Sequence, residues 1–342
     1  MGTRMNFGTT MFPAATDLTV TRLGVNYALG VSRRPVQAVR DVTLTMHAGH
    51  VVGLVGESGS GKSSVARAIV GLAPISAGTV RLAGQPFGNE SSRAQRRAVQ
   101  MVFQNPRASL NPRRTVEQTL VEAVECGSLH TANTADRVAE LLDAVALPTS
   151  LLGRRPQQMS GGQCQRIAIA RALAVNPQFV LADEVTASLD AVIAAGVVAL
   201  LRRLATSHNI GVLLITHDLR TVERIADWIA VMYLGKVVEQ GSAQKILAAP
   251  RHPYTAALLA ARPSLDVRRH QPLPLLNEIG LLSNTGCQFA PRCNYSTKEC
   301  TTTDPTLSID DCPVACHHPL DCDSISINHQ SLTTAVLTKE KK

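Results

Sequence analysis

The run Val51-Val-Gly-Leu-Val55 is apolar without a break and stops at Gly56-Glu-Ser-Gly-Ser-Gly-Lys62-Ser63. Helical spacing of apolar residues resumes at once, from Ser63 to Leu72. An unbroken apolar strand is one buried on both faces, as in a parallel sheet covered by helices. Glycines at these positions let a loop fold so that successive backbone N–H groups converge on one point. That point lies at a helix N-terminus, whose partial positive charge favours an anion. Lys62 adds a point charge suited to the β- and γ-phosphates of a nucleotide, and Ser63 offers a hydroxyl to Mg²⁺. A glycine-rich turn without function can share such spacing, but here an apolar strand precedes it and a helix follows. The segment therefore reads as a phosphate loop. Gly56, Ser58, Gly59, Ser60, Gly61, Lys62, Ser63 and Ser64 are its expected contacts to ATP.

Phe179-Val-Leu-Ala-Asp183-Glu184 is the natural counterpart. A short apolar run ends in two adjacent carboxylates. Successive strand side chains point to opposite faces, so the two acids cannot share one role. Asp183 fits the Mg²⁺ side, and Glu184 fits the base or orienter of an attacking water. Taken alone, this segment would be an ordinary strand-end turn; paired with the phosphate loop it reads as catalytic.

The rest of the chain alternates in the same way. Asp17–Tyr27 and Val39–Met46 alternate apolar and polar residues and predict strands, as does the apolar run Gly211–Thr216. Thr115–Leu147, Ser160–Val175 and His252–Leu259 carry helical periodicity. Strands alternating with helices predict an α/β core with a parallel sheet. The helical block at about 106–175 reads as an inserted subdomain.

Composition excludes some functions and leaves others open. Aromatics make up 3% of residues, too few for base-stacking recognition of single-stranded nucleic acid. The net charge of +8 suits a phosphate-rich partner and equally suits a solvated basic surface. The longest apolar run, Ala191–Leu201, is shorter than the roughly 20 residues of a spanning helix. Met1–Asp17 lacks the pattern of a secretion signal. The chain is thus expected in the cytoplasm, reaching a membrane only through partners. Six of the eight cysteines crowd between Cys287 and Cys322, which in a reducing compartment reads as metal or iron–sulfur ligation rather than disulfides.

Met159-Ser160-Gly161-Gly162-Gln163 opens a helix, with Ser160 as a good N-cap and two glycines that permit close approach of an anion. Followed by Gln165-Arg166 and Ala170-Arg171-Ala172-Leu173, it resembles the signature motif of ATP-binding-cassette proteins. The resemblance implies a P-loop NTPase core of mainly parallel sheet, with an antiparallel β subdomain, the helical insertion and a small Cys-rich C-terminal extension. It also implies roles for single residues. Gln104, after Met101-Val-Phe103, matches the Q-loop glutamine that contacts Mg²⁺ or water. His217 matches the switch histidine that contacts the γ-phosphate, and Asp190 matches the D-loop aspartate. Tyr27 stands where an aromatic stacks on adenine; the longer spacing, with Gly30–Pro35 looking inserted, leaves simple packing as the alternative. In this family two ATPase subunits face head to tail, and each ATP lies between one phosphate loop and the other subunit's Ser-Gly-Gly-Gln.

Three further segments resemble the oligopeptide/dipeptide/nickel uptake branch: Phe103-Gln-Asn-Pro-Arg-Ala-Ser-Leu-Asn-Pro-Arg113, His252-Pro-Tyr-Thr-Ala-Ala-Leu-Leu259, and Gly286-Cys-Gln-Phe-Ala-Pro-Arg-Cys293 continuing to Cys316. The wording after Gln104 is most similar to the second of the two ATPase subunits such importers carry. The implied partners are a homologous second ATPase subunit in a heterodimer, two transmembrane permease subunits and a solute-binding protein, at the cytoplasmic face of the inner membrane; nucleic acid is not among them. Peptides are the expected cargo, with nickel, metallophores or glutathione as alternatives, and a soluble cassette ATPase as the more distant one. The resemblance assigns Cys287, Cys293, Cys300 and Cys316 to a [4Fe–4S] cluster; Zn²⁺ and free thiols stay open, with Cys312 and Cys322 as spares. Val185, where proline is usual, and Cys164, where arginine or glutamine is common, depart from the pattern without removing a catalytic group. The expected domains are 16–262 for the ATPase, 263–325 for the extension, and a polar, disordered tail at 326–342.

Overall fold

The computed structural model describes residues 17–28, 35–127, 133–261, 285–308 and 312–320. The chain divides into two compact units between Val237 and Val238. The expected boundary after residue 262, Cys322 and the polar tail lie outside the described residues.

In the first unit, β1 (Asp17–Tyr27) and β2 (Val36–His47) pair antiparallel. The buried side chains of β1 are the alternating Leu18 and Val20, then Leu23 and Val25 after a register shift. A second sheet begins with β3 (Val51–Val55), all five residues of which are buried. Strands β4 (Ile75–Leu82) and β5 (Gln85–Pro86) complete the antiparallel sheet in the order β2-β1-β4-β5. The other sheet adds β6 (Val99–Val102), β7 (Phe179–Asp183), β8 (Gly211–Thr216) and β9 (Trp228–Tyr233). These run parallel in the order β9-β3-β8-β7-β6. Val55 stands opposite Thr216, Ala182 opposite Leu214 and Val102 opposite Ala182. Four strands therefore finish at one edge, and the segments that follow them meet there. In an open parallel sheet this edge is where ligands bind.

Helix α1 (Lys62–Ile69) is shorter than the predicted Ser63–Leu72. Gly71 turns left-handed at φ +76°, its N–H bonds to Ala68, and Leu72 N–H bonds to Arg67 carbonyl, a closure that satisfies the last carbonyls. Helix α2 (Arg93–Ala98) starts with a Ser92–Gln95 capping box. Helices α3 (Pro106–Ser109), α4 (Val116–Cys126), α5 (Thr134–Ala144) and α6 (Gly161–Leu173) lie between β6 and β7, with α4 packed on α5 and α6. The single periodic run Thr115–Leu147 is thus two helices. Asn133 caps the second by accepting from Ala135 N–H, a start signal inside the run. Helix α7 (Ala191–His208) is long and apolar enough to cross a membrane by composition, but it buries Val197, Leu200, Leu201 and Leu204 and packs on α6, β8 and α8 (Leu219–Ile225).

Strand β10 (Lys236–Ser242) carries the chain into the second unit, which adds α9 (Ala243–Ala248), α10 (Pro253–Ala260) and α11 (Lys298–Thr302). There, Gln240 N–H donates to Pro313 carbonyl, Ala315 N–H donates to Val238 carbonyl, and Glu239 bridges Val314. Buried Glu239 accepts hydrogen bonds from the N–H groups of Arg251 and His252, tying the start of α10 to β10.

Candidate active site

The phosphate loop needs two of its glycines for stereochemical reasons. Gly56 and Gly61 have φ of +157° and +99°, and a Cβ there would stand 2.1 Å from the Met232 carbonyl oxygen and 2.2 Å from that of Ala38. Gly61 is also the N-cap of α1, with no side chain closing the helix end. The first N–H groups of α1 thus stay available to an anion. Lys62 is buried, and its Nζ donates to the carbonyls of Gly56 (2.9 Å) and Glu57 (2.7 Å) and to Ser60 Oγ (3.2 Å). Burial pushes its pKa below the usual lysine value, opposed by the charges of Glu184, Asp183 and Glu57.

The two acids at the end of β7 separate as strand geometry requires. Asp183, 2% exposed, accepts a 2.8 Å hydrogen bond from Ser63 Oγ. Burial raises its carboxyl, offset in part by the Ser63 hydrogen bond and by Arg67. Glu184 turns elsewhere: Gln104 Nε2 donates to Oε2 at 2.7 Å, and His217 Nδ1 stands 3.4 Å from Oε1. Its own N–H donates to the Ile215 carbonyl on β8. Glu184 has φ +45°, a conformation that costs a non-glycine residue about 1–3 kcal/mol and clusters at functional sites. Nothing in residue type or spacing signalled that strain. Val185 follows it, buried.

Lys62, Ser63, Gln104, Asp183, Glu184 and His217 are thereby brought together from the ends of β3, β6, β7 and β8. Tyr27 joins from β1, its Oη 3.3 Å from Ser64 Oγ. Ser160 stands apart from these hydrogen bonds: its Oγ accepts from Gln163 N–H (3.2 Å) while Gln163 Oε1 accepts from Ser160 N–H (3.0 Å). Gly162 packs against α7, where Asp190 Oδ1 caps the helix by accepting from Ile193 N–H. Cys164 is buried, with Sγ 3.5 Å from the Pro156 carbonyl. One feature had no counterpart in the sequence reading. A groove of about 370 Å³ runs beside β6 and is lined by Leu72, Phe87, Met101, Phe103 and Arg171. Leu72 is 62% exposed there, and Phe103 is the chain neighbour of Gln104.

In the second unit Cys287, Cys293, Cys300 and Cys316 line one cavity. Cys312 is not in its lining; its carbonyl accepts from Arg251 Nη1. Burial pushes the thiols of Cys287 and Cys293 up, and that of Cys316 up to about 11, with the neighbouring thiols adding to each shift. Backbone N–H groups of Phe289 and Ala290, Tyr295 and His318 act in the opposite sense on Cys287, Cys293 and Cys316. Such amide-to-sulfur bonds favour thiolates, the ligand form. Among the described residues no group of three or more His, Cys, Asp or Glu side chains forms a site for a metal ion. Four cysteines lining one cavity are a donor set whose chemistry suits a polynuclear iron–sulfur cluster or one Zn²⁺.

Fold and site together define an ATP-binding cassette. The family model for ABC transporters matches residues 39–187, and that for the oligopeptide/dipeptide transporter C-terminal region matches 238–300. The chain is 40% identical to the oligopeptide transport ATP-binding protein OppF of Salmonella typhimurium, across 80% of this chain and 85% of that one. It is 36% identical to OppF of Haemophilus influenzae, across 85% and 93%. A dimeric ATP-binding cassette solved in a post-hydrolysis state with ADP and phosphate is similar at TM-score 0.59 and 28% identity, over 66% of this chain and 98% of that one. The chain belongs to the ABC transporter ATPases, in the branch that carries the oligopeptide/dipeptide transporter C-terminal region. Members of this ATPase family bind ATP with Mg²⁺ and couple its hydrolysis to transport.

Proposed function

We propose that this chain is the ATP-hydrolysing subunit of an importer that carries di- and oligopeptides across the cytoplasmic membrane. The observation that supports it best is the clamp on Glu184, a strained carboxylate held between Gln104 and His217 beside the phosphate loop. The loop and Lys62 bind the phosphates of ATP. Ser63 and Asp183, with Gln104, would hold Mg²⁺, which supplies neutralising charge on the β- and γ-phosphates. Glu184 orients a water and accepts its proton as the water oxygen bonds to the γ-phosphorus and the bond to the β-phosphate oxygen breaks. His217 reaches the γ-phosphate, and Tyr27 stacks on adenine.

Ser160 Oγ and Gln163 Oε1 are taken up in capping their own helix and make no hydrogen bond to the loop among the described residues. On the head-to-tail arrangement of the family they serve an ATP on a second, homologous ATPase subunit, with Asp190 at the same face. The groove beside Phe103 receives a segment of one of two permease subunits at the cytoplasmic face of the inner membrane. Its exposed Leu72 and its continuity with Gln104 support that reading. A solute-binding protein delivers the peptide. Glu184→Gln should abolish hydrolysis, keep ATP binding and trap the closed dimer. Undiminished turnover would remove Glu184 from the mechanism.

Cys287, Cys293, Cys300 and Cys316 hold a [4Fe–4S] cluster, supported by their shared cavity and their amide-to-sulfur bonds. Protein purified without air should absorb near 400 nm and contain iron; colourless protein carrying zinc would replace the cluster with a structural Zn²⁺.

A further inference from the structure

His252 lines the same cavity as the four cysteines. It is 1% exposed and is the N-cap of α10. Its Nδ1 accepts a 3.0 Å hydrogen bond from Tyr254 N–H. A nitrogen that accepts from an N–H carries no proton, so the ring is neutral and its proton sits on Nε2. Burial has the same effect, lowering the pKa of the ring to about 3. Phe289 packs against the ring at 5.8 Å between centroids, which holds its orientation.

The Nε2–H is then a buried donor whose direction is set by the helix cap. The ring feels the carbonyl of Ala315, the residue before Cys316, but Nε2 completes no hydrogen bond among the described residues. A buried donor that completes no hydrogen bond costs about 1–3 kcal/mol. The two other histidines of the cavity are differently engaged. His317 Nε2 meets the Thr303 carbonyl at 2.9 Å and its Nδ1 lies 3.4 Å from Glu299. His318 Nε2 meets Thr297 Oγ1 at 2.9 Å. Among the described residues the His252 Nε2–H is thus a buried imidazole donor of the cavity wall that completes no hydrogen bond, and the chemistry it calls for is an electron-rich acceptor.

We propose that His252 is a positioning residue for the cysteine-bound group: its Nε2–H donates to a sulfur of that group and so tunes its reduction potential. This rests on the cluster reading above. A hydrogen bond to sulfur stabilises the more negative, reduced state and raises the potential. The cap explains why histidine suits the place, since one nitrogen ends a helix and the other is left to donate from a residue of the cavity wall.

The test separates the two readings. Full-length protein is purified without air, its iron and 400 nm absorbance are measured, and its midpoint potential is determined by redox titration for the wild type and His252→Asn. Asparagine keeps the N-cap, for which it is a preferred residue, but loses the imidazole N–H. The variant should keep its iron and shift its reduction equilibrium about tenfold toward the oxidised form, ~59 mV lower for a one-electron couple. Equal potentials with iron present in both would overturn the role of His252 and leave the cluster standing. A wild type without iron would overturn the cluster reading itself. If the variant does not fold, the reduced cluster of a His317→Gln/His318→Gln protein with histidine ¹⁵N-labelled at the ring alone takes its place, so that neither the His318 amide nor the other two rings contribute: magnetic coupling to an imidazole N–H supports the proposal, and its absence overturns it.

Discussion

Gly162→Ala probes how the signature helix is seated. Gly162 lies in the first turn of α6, and a Cβ there would stand 2.3 Å from Ile193 Cγ2 on α7. That is inside any permitted carbon–carbon contact, and Ile193 is β-branched and stiff, so the helix or its neighbour must shift. Overpacking of this kind costs about 1–3 kcal/mol. Alanine returns at most ~1 kcal/mol over glycine within a helix. The net expectation is a destabilisation of about 0–2 kcal/mol, or up to roughly 3 °C in Tm for a chain this long. Ile193→Ala opens the space that the new methyl needs. The double variant should therefore be more stable than the sum of the two single changes by about 1 kcal/mol or more. Urea unfolding of the four proteins measures this coupling. ATP turnover should follow it, falling in Gly162→Ala and recovering in the double variant, because Ser160 and Gln163 move with the turn. A Gly162→Ala protein more stable than wild type by the full helix-propensity gain, with additive singles, would show that the packing of α6 on α7 does not require glycine.

Three further changes follow from the same geometry. Ser63→Ala leaves the buried Asp183 carboxylate without its hydroxyl donor; stability should fall by about 1–3 kcal/mol and Mg²⁺-dependent ATP binding should weaken, both read by calorimetry. Asp227 accepts from Val51 N–H and Arg202; burial acts to raise its carboxyl, but these partners outweigh it and hold it below the usual range. Its contribution is therefore present above the unfolded carboxylate pKa and lost as pH falls through the lower folded value. Asp227→Asn should cost about 1 kcal/mol at neutral pH, after discounting for its part exposure, and unfolding curves of the two proteins should converge in acid. Leu72→Asp should leave the fold and basal turnover intact while abolishing stimulation by reconstituted permease subunits; retained stimulation would move docking away from the groove.

Much of the site was legible in order along the chain because its chemistry depends on local patterns. A glycine loop between an apolar strand and a helix, acids at a strand end, and Ser-Gly-Gly-Gln at a helix start each carry their own physical reason within a few residues. β1, β3 and β8 were readable to the residue because alternation and unbroken apolar runs report burial directly. Helix ends were less so. Gly71 sets one through a left-handed backbone closure and Asn133 another through a side-chain cap, neither of which periodicity registers, while β4 and β5, with mostly exposed residues, offer little apolar signal.

The sequence by itself determined which side chains could handle a nucleotide: Lys62, Ser63, Asp183 and Glu184, in a strand–loop–helix setting that admits few alternatives. Only the tertiary structure decided that Gln104 and His217, 113 residues apart in the chain, close on the same carboxylate. The reason is the order β3-β8-β7-β6. Parallel strands in matched register end together whatever their distance in sequence, and that register is a property of the sheet, not of any one strand. The strain at Glu184 has the same origin, since its backbone answers to β8 through Ile215.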